Sequence, residues 1–398
     1  MTAETLGGPG TQATRVTGSP SPIVTRSRRP ATWAGLIGIA LLVVLALLPY
    51  VVYESFTNTL VNLFILMTIA TMWNALAGYA GLVSVGQQAY IGVGAYAVLV
   101  AAQHGIEPFV AIPIAVAVAV ACAVPASWLV FRLAGAYFAI ATWVLAVVAD
   151  LAVTRYSSLG GGTGAPLPGL SGIGSTVLSA DTYWGALVIA VLALVSVFLL
   201  LRSRLGLVLT AVRDNEVGAR SVGSRVTAAK RAVYLLAAGG CAAAGALIAI
   251  SQLNVEPSNV FNVQWSAYMI FAVLIGGLGT IEGPIIGSIV FIVLQQTLAQ
   301  YNAWYLIILG AVAMVIAIWA RRGLWGLLTT KVPLHLFPVG YHLHLDDGVT
   351  ERHGPLRLLL GPARIPRGAP ASKKSSQRAD ESERVPTSSP PESEGGMR

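Results

Sequence analysis

Five amide side chains, Asn74, Gln87, Gln88, Gln252 and Gln295, stand within or beside otherwise apolar runs. An amide donates and accepts hydrogen bonds but carries no charge to exchange at neutral pH. Two kinds of work suit such groups: bonding one helix to another, and lining a pathway for a polar solute. Ion-coupled transport asks for more, because something inside the membrane must bind and release the coupling ion. The apolar runs offer almost nothing of that kind. Asp150 stands near the end of one, and Glu54, Glu107 and Glu282 fall between them. The energy source is therefore expected outside this chain.

Enzymatic chemistry is equally thin. None of the four lysines, Lys230, Lys331, Lys373 and Lys374, completes a G-x-x-x-x-G-K-[ST] phosphate loop, so no ATPase site of that kind is encoded. H-E-x-x-H and G-x-S-x-G are missing too. His104 is isolated, and His335, His342, His344 and His353 lie past the last apolar run without cysteine or acidic ligands beside them. Neither a metal site nor a catalytic residue is expected. Cys122 and Cys241 fall inside apolar runs, where a thiol packs as a small apolar group.

Glycine carries the strongest architectural signal. "GYAGLVSVGQQAYIGVGAY" begins at Gly78 and contains Gly81, Ser84, Gly86, Gln87, Gln88 and Gly92. "IGGLGTIEGPIIGS" contains Gly276, Gly277, Gly279, Gly283, Pro284 and Gly287. Such passages serve either close helix packing, as a small-xxx-small pair like Gly283 and Gly287 would, or a broken backbone beside a central pathway. A third passage, 158–175, is too flexible and polar to cross a membrane and reads as the longest outer loop, where an external partner would meet the chain.

The elements that must position these groups follow from composition. Hydrophobic residues make up 55% of the 398, charged residues 11%, and mean hydropathy is +0.72. This is the composition of an all-α polytopic membrane protein. A span needs about 20 mostly apolar residues. Ten runs approach that length, at 33–52, 59–78, 83–102, 109–131, 135–153, 184–201, 228–252, 266–278, 284–299 and 304–320, with eight as the lower bound because the eighth and ninth could form a re-entrant pair. The first run is too long, and starts too late, for a cleavable signal.

Outside the C-terminal tail the chain carries 16 Lys and Arg residues, and the ten-span arrangement puts 15 of them on one side, with Arg155 opposite. The positive-inside rule makes that side cytoplasmic, with both termini on it. Residues 1–30 and 331–398 are rich in Pro, Ser and charge or in Thr and Gly, and are expected to be disordered cytoplasmic tails flanking a transmembrane domain at 31–330. The net charge of +8 then reports topology and contact with anionic lipid rather than nucleic-acid binding.

The one long polar interruption in the second half, 203–229, is where a soluble partner would grip. Leu205, Val208, Leu209 and Val212 recur at helical spacing and predict a short helix with one apolar face. Asp214 is expected to cap a second short helix from about Glu216 to Val222, with Gly223 as its stop and Thr227 capping the next span. The alternative is a plain basic loop lying on anionic lipid.

In order and spacing, "GYAGLVSVGQQAYIGVGAY", "SRLGLVLTAVRDNEVGARSVG", "GGLGTIEGPIIGSIVFIVLQQTL" and "RRGLWGLL" resemble permease subunits of bacterial branched-chain amino acid ABC importers, of the LivM type. The resemblance covers roughly 60–328, and Arg213, Asp214, Asn215 and Gly223 are its most specific part. It implies a bacterial inner-membrane protein that forms the translocation pathway by alternating access. It also implies a heterodimer with a second permease subunit, two cytoplasmic ATP-binding subunits that hold the ATP and Mg, and an extracytoplasmic substrate-binding protein. Leu205, Gly206, Arg213, Asp214, Asn215, Glu216 and Gly223 would then form the ATPase-coupling region, and no cofactor would reside in this chain. Related permeases for urea, amides, other amino acids or a sugar share the pattern.

Overall fold

The computed structural model describes residues 23–25, 38, 40, 42–170, 174–298, 300, 304–319, 323–331 and 342–344. The chain divides into two units, Met1–Thr25 with Leu343–Arg398, and Arg26–His342. The helices described belong to the second. The expected tails fall almost entirely outside the described residues.

Apolar content along the chain dictates long helices, since only intrasegment bonds satisfy the backbone away from water. They are α1 (Glu54–Asn74), α2 (Gln88–Gln103), α3 (Ile112–Val130), α4 (Ala136–Thr154), α5 (Ser175–Arg202), α6 (Arg204–Asp214), α7 (Glu216–Ser221), α8 (Val226–Gln252), α9 (Pro257–Val260), α10 (Gln264–Gly276), α11 (Glu282–Leu298), α12 (Trp304–Trp319) and α13 (Gly323–Lys331). Among the described residues, six stretches are long and apolar enough to cross a membrane, and three shorter apolar helices accompany them. The expected ten also counted 33–52, of which only part is described.

Hydropathy misplaced several boundaries. The third run, expected from 83, is helical only from Gln88, because Gly81 turns left-handed (φ +67°) and Ser84 takes up local backbone and side-chain bonds. Helix α5 begins at Ser175, nine residues before the expected 184. Its polar first turns are anchored by Tyr183 Oη donating to the Leu45 carbonyl (2.6 Å) and Trp184 Nε1 donating to that of Ala46 (3.1 Å). The eighth run, expected at 266–278, is one helix, α10, which starts two residues earlier and is preceded by the single turn α9.

Helices α1 and α8 are the most enclosed of the long spans and form the centre. Small residues let α2 lie directly on α8: a Cβ on Gly94 would collide with the Ala242 backbone, and one on Gly245 with that of Ile91. Close approach through glycine is the packing mode available when lipid competes with every apolar side chain. Cys241 is buried in this contact region, whereas Cys122 lies on an exposed face of α3. At one end of the bundle a short antiparallel pair, β1 (Ala165–Pro166) with β2 (Asn254–Val255), ties part of the expected outer loop to the end of α8.

Candidate functional site

The polar interruption folds as two short helices. Ser203 caps α6 by accepting from the Leu205 amide (3.2 Å), and Gly206 allows the turn out of α5, since a Cβ there would strike the Leu201 carbonyl. Leu209 and Val212 are buried, and Leu205 and Val208 pack half-buried beside the core. The apolar spacing thus seats α6 against the bundle.

The cap of α7 is Asn215, not Asp214. Asn215 leaves helical geometry (φ −158°, ψ 103°) and its Oδ1 accepts from the Gly218 amide at 2.9 Å. Asp214 is still the last residue of α6, so it cannot also leave the helix to cap the next one. Thr227 is likewise not a cap: α8 starts at Val226 after Arg225, without a side-chain capping bond. Gly223 ends the segment with φ +78°, a left-handed conformation that glycine adopts without strain.

Glu216 ties the segment down. Its carboxylate takes Arg220 (2.8 Å) within α7 and Lys230 (2.8 Å) on α8. The hydrogen bond from Lys230, with a further one from Arg220, holds the Glu216 carboxyl below its ordinary value of 4.5. A cavity of about 570 Å³ opens beside this pair, lined among others by Val83, Arg132, Arg220 and Lys230.

Both glycine-rich passages meet the segment at this end. Directly after Asn74 the backbone widens into a single π-helical stretch, Ala75–Tyr79, and then breaks before α2. Asn74, 1% exposed, bonds across to the other passage: Oδ1 accepts from the Gly279 amide (2.8 Å) and Nδ2 donates to the Thr280 carbonyl (2.8 Å). Gly78 presses on the same turn, where a Cβ would lie 2.7 Å from the Gly279 nitrogen. Arg213 reaches it from α6, its Nη1 3.2 Å from where a Gly279 Cβ would sit.

The second passage is a packing device. Gly276, Gly283 and Gly287 bring α10 and α11 into backbone contact, so a Cβ on Gly287 would run into the Ala272 carbonyl and one on Gly276 into that of Gly283. Pro284 is buried in the first turn of α11, where its missing amide costs nothing. Gly323, at the start of α13, lies against Gly277 so closely that a Cβ would stand 2.5 Å from the Gly277 nitrogen.

The first passage is broken backbone held by side chains. Trp73 Nε1 donates to the Ser84 carbonyl (2.8 Å), the Val85 amide donates to Thr142 Oγ1 (3.2 Å), and Gly86 lies directly on the Thr142 backbone. Gln88 bonds Ser266 of α10, which is interhelical bonding rather than an open lining position. Gln87 is fully buried and donates to Ser84 Oγ (3.2 Å), while its Oε1 has no protein partner. Gly92 faces the Phe261 ring, and Gly81 stands exposed at the turn.

Of the residues singled out in the sequence, Arg213, Gly78 and Gly279 come together; Glu216 and Asn215 brace the neighbouring helix; Gly277 opens the 277–281 turn, and Gly276, Gly283 and Gly287 pack the helices on either side of it. The Asp214 side chain is outside the described residues. Asn74 makes the interhelical bond expected of the five amides, whereas Thr280 and Lys230 were not singled out as site residues. An amide in an apolar run was the available signal for Asn74; its partners more than 200 positions away left none.

The family described as "Branched-chain amino acid transport system / permease component" matches residues 55–317. The chain is 26% identical over 315 residues to the high-affinity branched-chain amino acid transport system permease protein LivM of Escherichia coli K12, covering 72% of this chain and 73% of that one. It is 25% identical over 313 residues, with the same coverage, to LivM of Salmonella typhimurium LT2. No solved structure matches it.

Proposed function

Because this chain belongs to the family of permease components of branched-chain amino acid transport systems, we propose that it forms one half of the translocation pathway of a bacterial inner-membrane ABC importer for branched-chain amino acids. A second permease supplies the other half, two cytoplasmic ATP-binding subunits drive it, and an extracytoplasmic binding protein delivers substrate. The basic residues of 202–231 put α6 and α7 on the cytoplasmic face by the positive-inside rule. The observation that carries this reading is the seating of α6: buried on one side by Leu209 and Val212, with Arg213 against the Gly279 turn. A rigid two-helix knob so placed passes a push from a soluble subunit to the spans.

Substrate selection rests with the binding protein, and the permease alternates access as the ATP-binding subunits close and reset. Gln87 is fully buried in this conformation, and once the spans rearrange it and the broken backbone around it would offer amide and carbonyl groups to a passing zwitterion without a fixed countercharge. The test is ATP-dependent uptake in vesicles holding the full complex, comparing leucine, isoleucine and valine with urea and a ribose-type sugar. Uptake of the first three alone is expected. Uptake of another solute alone would keep the transport mechanism and reassign the substrate, and no association with ATP-binding subunits would sink the reading.

A further inference from the structure

We propose that Asn74 is a positioning residue: the latch through which movement of α6 reaches the break in the membrane-spanning backbone between α1 and α2. The inference rests on the transport reading above and goes beyond it by assigning the joint.

Three observations converge on this residue. Its single amide makes both bonds to consecutive backbone groups, the Gly279 amide and the Thr280 carbonyl, so the two form and break together. It is the last residue of α1, and the widened stretch Ala75–Tyr79 starts at the next position. A helix leaves its ladder there, and a neighbouring side chain decides how. On its other flank Trp73 holds the far side of the break through the Ser84 carbonyl (2.8 Å). Adjacent residues thus grip the 277–281 turn and the 81–87 segment.

The same turn receives Arg213 from α6 and lies on Gly78, whose added Cβ would also collide with Asn74 Oδ1. A shift of α6 is therefore delivered to Gly279 and Thr280, and Asn74 passes it to the π-helical stretch. A buried asparagine with both bonds made is ordinarily structural, and its loss would then lower stability alone. A latch has a different signature: hydrolysis continues while transport fails.

The experiment uses the complete complex in vesicles, with leucine uptake and ATP hydrolysis measured on the same preparation. Asn74→Leu keeps the volume and removes both bonds; Asn74→Asp keeps the shape and the acceptor for Gly279. Leucine moved per ATP is expected to fall about tenfold in Asn74→Leu, within the usual range for coupling between sites, and less in Asn74→Asp. Gly78→Ala, whose methyl would crowd both Asn74 Oδ1 and the Gly279 backbone and so disturb the same joint, should reproduce the loss and decides the matter with Asn74→Asp if the leucine variant does not accumulate. A wild-type ratio in these variants, or hydrolysis and uptake falling in parallel, overturns the latch while leaving the importer intact. A wild-type complex that neither assembles nor hydrolyses ATP overturns both, and does so without any variant.

Discussion

The Glu216 carboxylate bridges to the Lys230 ammonium at 2.8 Å and so ties the short helix α7 to the first turns of the long helix α8, beside the buried packing of Ala219 with Val226. Six residues of α7 cannot hold a helix in water unaided. Their position depends on this bridge, on the Asn215 cap and on buried Ala219.

Glu216→Gln is expected to loosen α7 with little effect on overall stability. The carboxylate is partly exposed, and such pairs contribute roughly 0.2–1 kcal/mol. Hydrogen exchange of the 216–222 amides should quicken in Glu216→Gln and in Lys230→Met, and the double variant should add little. The pH dependence has a definite sign. A carboxyl lowered in the folded state adds stability above its ordinary value of 4.5 and loses it as pH falls through the lowered value. Exchange at α7 should thus owe no change to Glu216 above about pH 5, and quicken only in more acidic solution. Quickening between pH 6 and 8 that is lost in Glu216→Gln would contradict this assignment.

Asn215→Ala should destabilise α7 by about 1 kcal/mol, the usual cost of removing a side-chain cap, whereas Asn215→Asp should be nearly silent. Hydrogen exchange of the 216–222 amides reports the difference. Equal losses in the two variants would show that the amide makes a contact other than the cap.

Gly287→Ala should separate α10 from α11, because the new methyl would meet the Ala272 carbonyl, a backbone atom with no rotamer to yield. Overpacking of this kind costs about 1–3 kcal/mol. Gly174→Ala is the control, since nothing lies within 4 Å of its added Cβ and its φ of −61° suits any residue. Thermal stability in detergent should fall for the first and hold for the second; equal stability of the two would remove the backbone contact from the account.

The sequence disclosed what is local and periodic. The apolar spacing of Leu205, Val208, Leu209 and Val212 marked α6 and its buried face, and Gly223 marked the end of α7, because both depend on near neighbours. The cap was misplaced by one residue, since Asp214 and Asn215 are both good capping types and only the backbone decides which leaves the helix. The glycine passages were legible as special but not as different from each other. Around Gly81 the chain breaks, whereas Gly276, Gly283 and Gly287 serve contact, and what separates these uses is the partner each glycine faces. The start of α2 at Gln88 and the pairing of Asn74 with Gly279 were hidden for a related reason: hydropathy registers composition along the chain, not bonds between distant positions.

The proposed function requires that α6 transmit the work of separate ATP-binding subunits through Arg213. It is tested most directly by measuring leucine uptake and ATP hydrolysis together, in vesicles containing the full complex with either wild-type chain or Arg213→Glu. The variant is expected to accumulate and assemble, and its uptake to fall about tenfold or more, the scale of a coupling between distinct sites. Wild-type uptake and hydrolysis in an assembled Arg213→Glu complex would contradict it.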